Sequence, residues 1–205
     1  RIAITMFEWA GDSSIRQVFD WTLVENADDA DGVSAIVRDS NPMGLRRTSI
    51  SGAILHALNR LENSPYEGFR KVIDISGDGP NNQGGPVLAA RELALAKRIV
   101  INGLPLMTSD GPGSGFNIAD LDAYYSECVI GGPGSFLVPV TSWDQFPEAI
   151  RRKLILEIGG LPPDVASVMQ AQASPVQGPR PASDPYDCLI GEKIWEQRQW
   201  MFDDR

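Results

Sequence analysis

The chain has 205 residues, with 27 Asp and Glu against 18 Lys and Arg, a formal net charge of −9. That excess of acid, with no basic cluster beyond Arg46-Arg47 and Arg151-Arg152-Lys153, argues against a duplex-binding surface, and no nucleic-acid partner is expected. Apolar residues make up 42% and charged residues 22%, as in an ordinary soluble globular domain, and no apolar run approaches the roughly 20 residues that span a bilayer.

RIAITMFEW opens the chain as a strand of β-branched and aromatic residues, apolar on both faces. AGDSS is a turn, and IRQVFDWTLV a second strand. The short turn predicts an antiparallel pair. ENADDADGVSAIVRDSN reads as a short helix, followed by the loop NPMGLRR. In TSISGAILHALNRLEN, Ile50, Ile54, Leu58 and Leu61 form a helical stripe, with Thr48 where an N-cap belongs.

FRKVIDISGDG predicts a strand that runs into a Gly turn. GGPVLAARELALAKR is a helix with Pro86 near its first turn. IVINGLPLM is a buried strand and TSDGPGSGFN a flexible loop. IADLDAYYSECVI is a helix stopped by GGPG, SFLVPV a strand, and SWDQFPEAIRRKLILEI an amphipathic helix. From Arg70 onward strands and helices alternate, the pattern of parallel βαβ units in a doubly wound α/β domain with helices on both faces. Residues 162–185 hold six prolines and read as a linker. YDCLIGEKIWEQRQWMF regains apolar content and is expected to dock back on the domain as a short helix. The division is thus a domain over 1–160, a Pro-rich linker over 161–185 and a docking segment over 186–205.

Cys128 and Cys188 lie in no CxxC or His-containing cluster, which argues against zinc. They are either a disulfide, closing a loop of about 60 residues in an oxidising compartment, or two unrelated buried thiols. The sole histidine, His56, points away from the apolar stripe, and no GxSxG elbow is present, so triad hydrolysis has little support.

In open α/β sheets ligands bind beyond the carboxyl ends of the strands. Asp78 is at such an end, followed by Gly79. Its carboxylate offers hard oxygens to Mg²⁺ or Ca²⁺, or bonds its own backbone as a turn residue. Thr48 is either a helix cap or a second oxygen donor, and Ser51 lies one turn along. Glu8 is a strand-end residue or part of the site's rim. Asp74, inside the strand, needs a partner if buried, an Arg or a backbone donor being expected.

Together RIAITMFEWAG…VFDWTLV, RRTSISGAILHAL, VIDISGDGPNN, INGLPL, DAYYSECVIGGPGSFLVPV and DCLIGEKIWEQRQW resemble a bacterial family of unknown function with a von Willebrand factor A-like domain. The resemblance covers nearly the whole chain. It implies a metal-ion-dependent adhesion site in which Thr48 and Asp78-Gly79 match two of three parts. The third, a DxSxS loop, does not occur at its place in this sequence. The fold's central first strand and helix are expected to precede Arg1, between the strands at 2–8 and 71–76. The implied function is a non-enzymatic binding domain, in which Mg²⁺ (or Ca²⁺ or Mn²⁺) accepts a carboxylate from a partner protein. Ser51, Gly79, Glu8 and Arg47 would form its rim. A metal-dependent hydrolase using Asp78 or Asp74 is the alternative. The resemblance also implies an extracytoplasmic location, periplasmic or secreted.

Overall fold

The computed structural model describes residues 1–44, 47–108, 118–159 and 185–203, with backbone alone over 199–203. Strand β1 (Ile2–Trp9) pairs antiparallel with β2 (Ile15–Val24). The turn between them closes through Ala10 N–H donating to Ser14 O and Ser14 N–H donating to Gly11 O, each at 3.0 Å. The register shifts on either side of Met6, a bulge that twists the ribbon. Helix α1 (Ala27–Asp39) starts in a reciprocal cap: Asn26 accepts from Asp29 N–H at 3.0 Å, and the Asp29 carboxylate accepts from Asn26 N–H at 3.3 Å. None of its residues is buried, and Ile36 and Val37 stay exposed.

Helix α2 (Ile50–Glu62) buries the expected stripe, with Ile50, Ala53, Ile54, Ala57 and Leu58 inside. Strand β3 (Val72–Gly77) runs parallel to β4 (Val100–Pro105), and α3 (Val87–Ala96) connects them. In β3 the period of two is plain: Ile73 and Ile75 are buried, while Asp74 and Ser76 face out. Every residue of β4 is buried, as in a strand covered on both sides. On one face Ile101 joins α2, α3, Ile73 and Ile75; on the other Leu104 packs with Phe136, Val138, Val140 and Ala149. Fully burying an Ile such as Ile54 stabilises by about 1.5–3 kcal/mol.

The strand expected at SFLVPV is not continuous. Residues 136–140 run parallel beside β4. Gly103 N–H donates to Phe136 O (3.1 Å), Val138 N–H to Gly103 O (2.9 Å), Val140 N–H to Pro105 O (2.9 Å) and Met107 N–H to Val140 O (2.7 Å). The next rung would need an N–H at Pro105. Proline has none, so the ladder breaks into isolated bridges.

Helix α4 (Leu121–Tyr124) passes directly into a π-helical turn (Tyr125–Val129), in which Ile130 N–H reaches back five residues to Tyr125 O at 2.9 Å. Tyr124, Tyr125, Cys128 and Val129 are all buried there. A single 3₁₀ turn (Trp143–Gln145) leads into α5 (Phe146–Gly159). From α5, buried Lys153 pairs with Asp74 and lies 3.7 Å from Glu157. Asp74 is therefore not the buried acid expected. It is exposed, and its partner is a lysine from 79 residues away.

Helix α6 (Ile190–Asp203) closes the described chain. A disulfide joins Cys128 to Cys188, with Cα atoms 5.5 Å apart, and no free cysteine remains. Tyr186, Cys188 and Ile190 pack on the core of α2, β3 and α3. The expected linker and the TSDGPGSGFN loop fall almost wholly outside the described residues.

The molecule is a mixed α/β fold with one antiparallel and one parallel two-stranded sheet. Of the expected doubly wound sheet, the described residues contain one parallel β3-α3-β4 unit. Among the described residues the only strand β1 pairs with is β2, and the only strand β3 pairs with is β4, with no strand to join the two sheets.

Candidate functional site

Three loops meet at the carboxyl end of β3. The first follows β1, the second precedes α2, and the third spans residues 78–85. They are stitched by backbone bonds. Ser49 N–H donates to Ala10 O at 2.6 Å, Asn82 N–H to Thr48 O at 2.8 Å and Gln83 N–H to Thr48 O at 3.2 Å. In return Thr48 N–H donates to the Asn82 side chain at 2.9 Å. Thr48 is thereby fixed, half-buried, beside the loop that Asp78 opens.

The cap of α2 is Ser49, not Thr48: its hydroxyl accepts from Gly52 N–H at 3.1 Å. Two adjacent hydroxyl residues can each read as the cap, and the chain uses the second. Thr48 is left with a side chain uncommitted to the helix. Gly84 has φ +84°, and a Cβ there would press on the Ser49 and Ser51 hydroxyl oxygens at 2.7 and 3.1 Å. Glycine is required twice over at this position, for conformation and for space.

Asn81 is the hub of the third loop and is fully buried. Its Oδ1 accepts from Ser51 N–H at 3.0 Å, and its backbone N–H donates to the Tyr124 hydroxyl at 3.1 Å. Its Nδ2 donates to Gly85 O at 3.1 Å and to Glu192 Oε1 at 2.7 Å. Every polar atom of this side chain is used, which is how a buried amide is tolerated. Sequence reasoning missed Asn81, Asn82, Tyr124 and Glu192. The Asn-Asn pair after Gly-Pro was the available signal, but its partners lie up to 111 residues away.

Asp78 is exposed and makes no hydrogen bond or ion pair with a described residue. Its charge faces the Tyr125 phenol. Burial first, then Tyr124 and Asp78, push that phenol well above its ordinary range. The Tyr125 hydroxyl, the Ser51 hydroxyl and Glu192 Oε2 are buried without a hydrogen-bond partner.

The expected rim is rearranged. Ser51 and Gly79 are buried beneath it, Ser51 by its place in the first turn of α2. Glu8 is engaged by Arg16 and accepts from Met43 N–H at 3.3 Å, so it braces β1 against β2 and the following loop. The Arg47 guanidinium stacks over the Trp195 ring of α6 at 4.5 Å. Arg46 lies outside the described residues. His56 sits against Phe7, ring centroids 4.6 Å apart, on the side of α2 turned to β1. Burial, then the nearby Arg60 charge, keep its pKa below the usual histidine value.

The donor chemistry tests the implied cation. Asp78 and Thr48 offer one carboxylate and one hydroxyl, both hard oxygens. Mg²⁺ takes one or two carboxylates and keeps several waters, whereas Ca²⁺ takes six to eight oxygens. By donor type alone such a pair would suit Mg²⁺, with water or a partner filling its other positions, better than Ca²⁺. Among the described residues no group of three or more His, Cys, Asp or Glu is arranged to hold a metal.

A family model described as protein of unknown function (DUF1194) matches residues 1–162, most of the chain. The chain belongs to the DUF1194 family. No curated protein matches this DUF1194 chain. Among solved structures, proximal thread matrix protein 1 from the mussel byssus superposes with a TM-score of 0.53 at 15% identity, over 76% of this chain and 36% of that one. The DUF1194 chain thus spans about a third of the mussel protein's length, and at this identity the likeness bears on fold alone. BatB from Bacteroides thetaiotaomicron gives 0.49 at 18% identity, over 78% of this chain and 80% of that one. An aerotolerance-related membrane protein from Bacteroides fragilis, carrying multiple mutations to serines, gives 0.47 at 19%, with the same coverage of 78% and 80%. No described helix is long and apolar enough to cross a membrane.

Proposed function

We propose that this chain is a non-enzymatic binding domain that engages a partner protein through the loops at the carboxyl end of β3. In this reading Thr48 and Asp78 hold Mg²⁺ weakly, and a carboxylate of the partner completes its coordination. One observation carries the reading: Asp78 is an exposed carboxylate without a described ion-pair or hydrogen-bond partner, in a loop bonded to that of Thr48. A turn aspartate that only bonds its own backbone would show such a bond. The resemblance to von Willebrand factor A-like proteins supports the same two residues. Arg47, next to Thr48, adds a positive charge that would steer an incoming anion. The Cys128–Cys188 bridge supports an extracytoplasmic place of work, since disulfides persist in oxidising compartments.

Calorimetric titration of Mg²⁺ into the protein and into Asp78→Ala tests the site. Weak binding is expected for the parent, and none for the variant. Equal heats in both would overturn the assignment.

A further inference from the structure

Helix α6 does more than fill an apolar gap. It touches the candidate site at three points, two of them on Asn81. Glu192 bonds Asn81, the residue that also fixes Ser51, Gly85 and Tyr124. Trp195 lies under Arg47, in the loop that carries Thr48. Gly191 backs so closely onto the Asn81 carbonyl that any Cβ there would collide with it. The same helix follows directly on Cys188, whose partner Cys128 is in the π-helical turn that presents Tyr124 and Tyr125. Both ends of this arrangement thus converge on residues 78–85: the disulfide through Tyr124, and α6 through Glu192.

We propose that α6 is a disulfide-held clamp that sets the loops carrying Thr48 and Asp78, and that reduction of Cys128–Cys188 by a dithiol releases it. The exchange balances without any further reactant. One thiolate of the dithiol attacks a sulfur of the bridge, forms a mixed disulfide and expels one cysteine thiolate. The second thiolate closes the reductant into a cyclic disulfide and expels the other. The protein gains two electrons, the dithiol loses two, and both cysteine thiolates take up protons. Cys128 is fully buried and Cys188 half-buried, so the bridge is the more open on the Cys188 side. Once the covalent tie is gone, the contacts that remain, among them the Asn81–Glu192 bond, the Arg47–Trp195 stack and the packing of Tyr186 and Ile190, are all non-covalent and free to open locally. The clamp rests on the proposed function only for its effect on Mg²⁺.

Hydrogen exchange on the full chain, before and after treatment with dithiothreitol, tests the clamp, with Mg²⁺ titration run on both forms. Reduction is expected to speed exchange at the Ser51, Asn81, Asn82 and Gln83 amides by about tenfold and to weaken Mg²⁺ binding. Gly191→Ala, which keeps the disulfide, is expected to speed the same amides. Faster loop exchange with no Mg²⁺ binding in either form would uphold the clamp and overturn the metal reading instead. Faster exchange confined to residues 186–203, in the reduced chain and in Gly191→Ala alike, would overturn the clamp and leave the disulfide a plain staple.

Discussion

Glu192 pays a cost of burial that its neighbours only partly offset. Desolvation raises its pKa above the usual glutamate value of 4.5, while the bond from Asn81 pulls the other way; Asp187 and Glu196 raise it further. A carboxyl with a raised folded pKa binds its proton more tightly in the folded state. Its penalty is full above the folded value and fades as pH falls toward 4.5, so docking of α6 gains strength in that window. Asp187 acts in the opposite sense and lower down. The hydrogen bond from Lys193 holds it below 3.8, so its stabilisation is present above that value and is lost as pH falls through the lowered one. Glu192→Gln keeps an acceptor for Asn81 without the charge. At pH 7 it should raise the midpoint of thermal unfolding, and the rise should shrink by pH 5. A midpoint equal to the parent's at both pH values would contradict this account of the Asn81–Glu192 contact.

At the scale of elements, residues 97–99 show how a helix end can conflict with its sequence. Helix α3 ends in a left-handed turn, with Arg98 at φ 59° and Ile99 N–H bonded back to Ala94 O at 3.1 Å. That position ordinarily belongs to glycine, because a Cβ is strained there. Arg98 is exposed and makes no described contact that would explain it. Arg98→Gly should therefore stabilise the fold by about 0.5–1 kcal/mol, read as a shift in urea midpoint with unchanged slope. The elements themselves were legible in the sequence wherever periodicity was clean. The stripe of Ile50, Ile54 and Leu58 gave α2, and the alternation of Ile73 and Ile75 with Asp74 and Ser76 gave β3. Two elements were not. Nothing in DAYYSECV distinguishes a π turn from an α turn, because side-chain chemistry is the same in both. The run at 136–140 has strand-like residues, but whether its ladder is continuous depends on a missing N–H in its neighbour, at Pro105.

For the whole molecule, what escaped sequence reading was long-range polar pairing. Asp74 with Lys153, and Asn81 with Glu192, join residues 79 and 111 positions apart, and no local pattern marks either one. Thr48 and Asp78 were legible as site candidates because each sits at the end of a readable element. Their scaffold of asparagines was not, since buried amides carry no periodic signal. The disulfide has a further consequence. Cys128 and Cys188 are 60 residues apart, and together they turn the chain between them, α5 included, into a covalent ring. The ring lowers the entropy of the unfolded chain, worth about 4 kcal/mol in the chain-entropy view. It also changes what a protease can do. A single cut anywhere between Cys128 and Cys188 opens the ring but severs nothing, so both fragments should migrate as one species on a non-reducing gel and separate only on a reducing one. Two bands without reductant would mean the bond is absent. In an environment rich in proteases, such a nicked protein would keep its last helix in place and go on presenting the same loops.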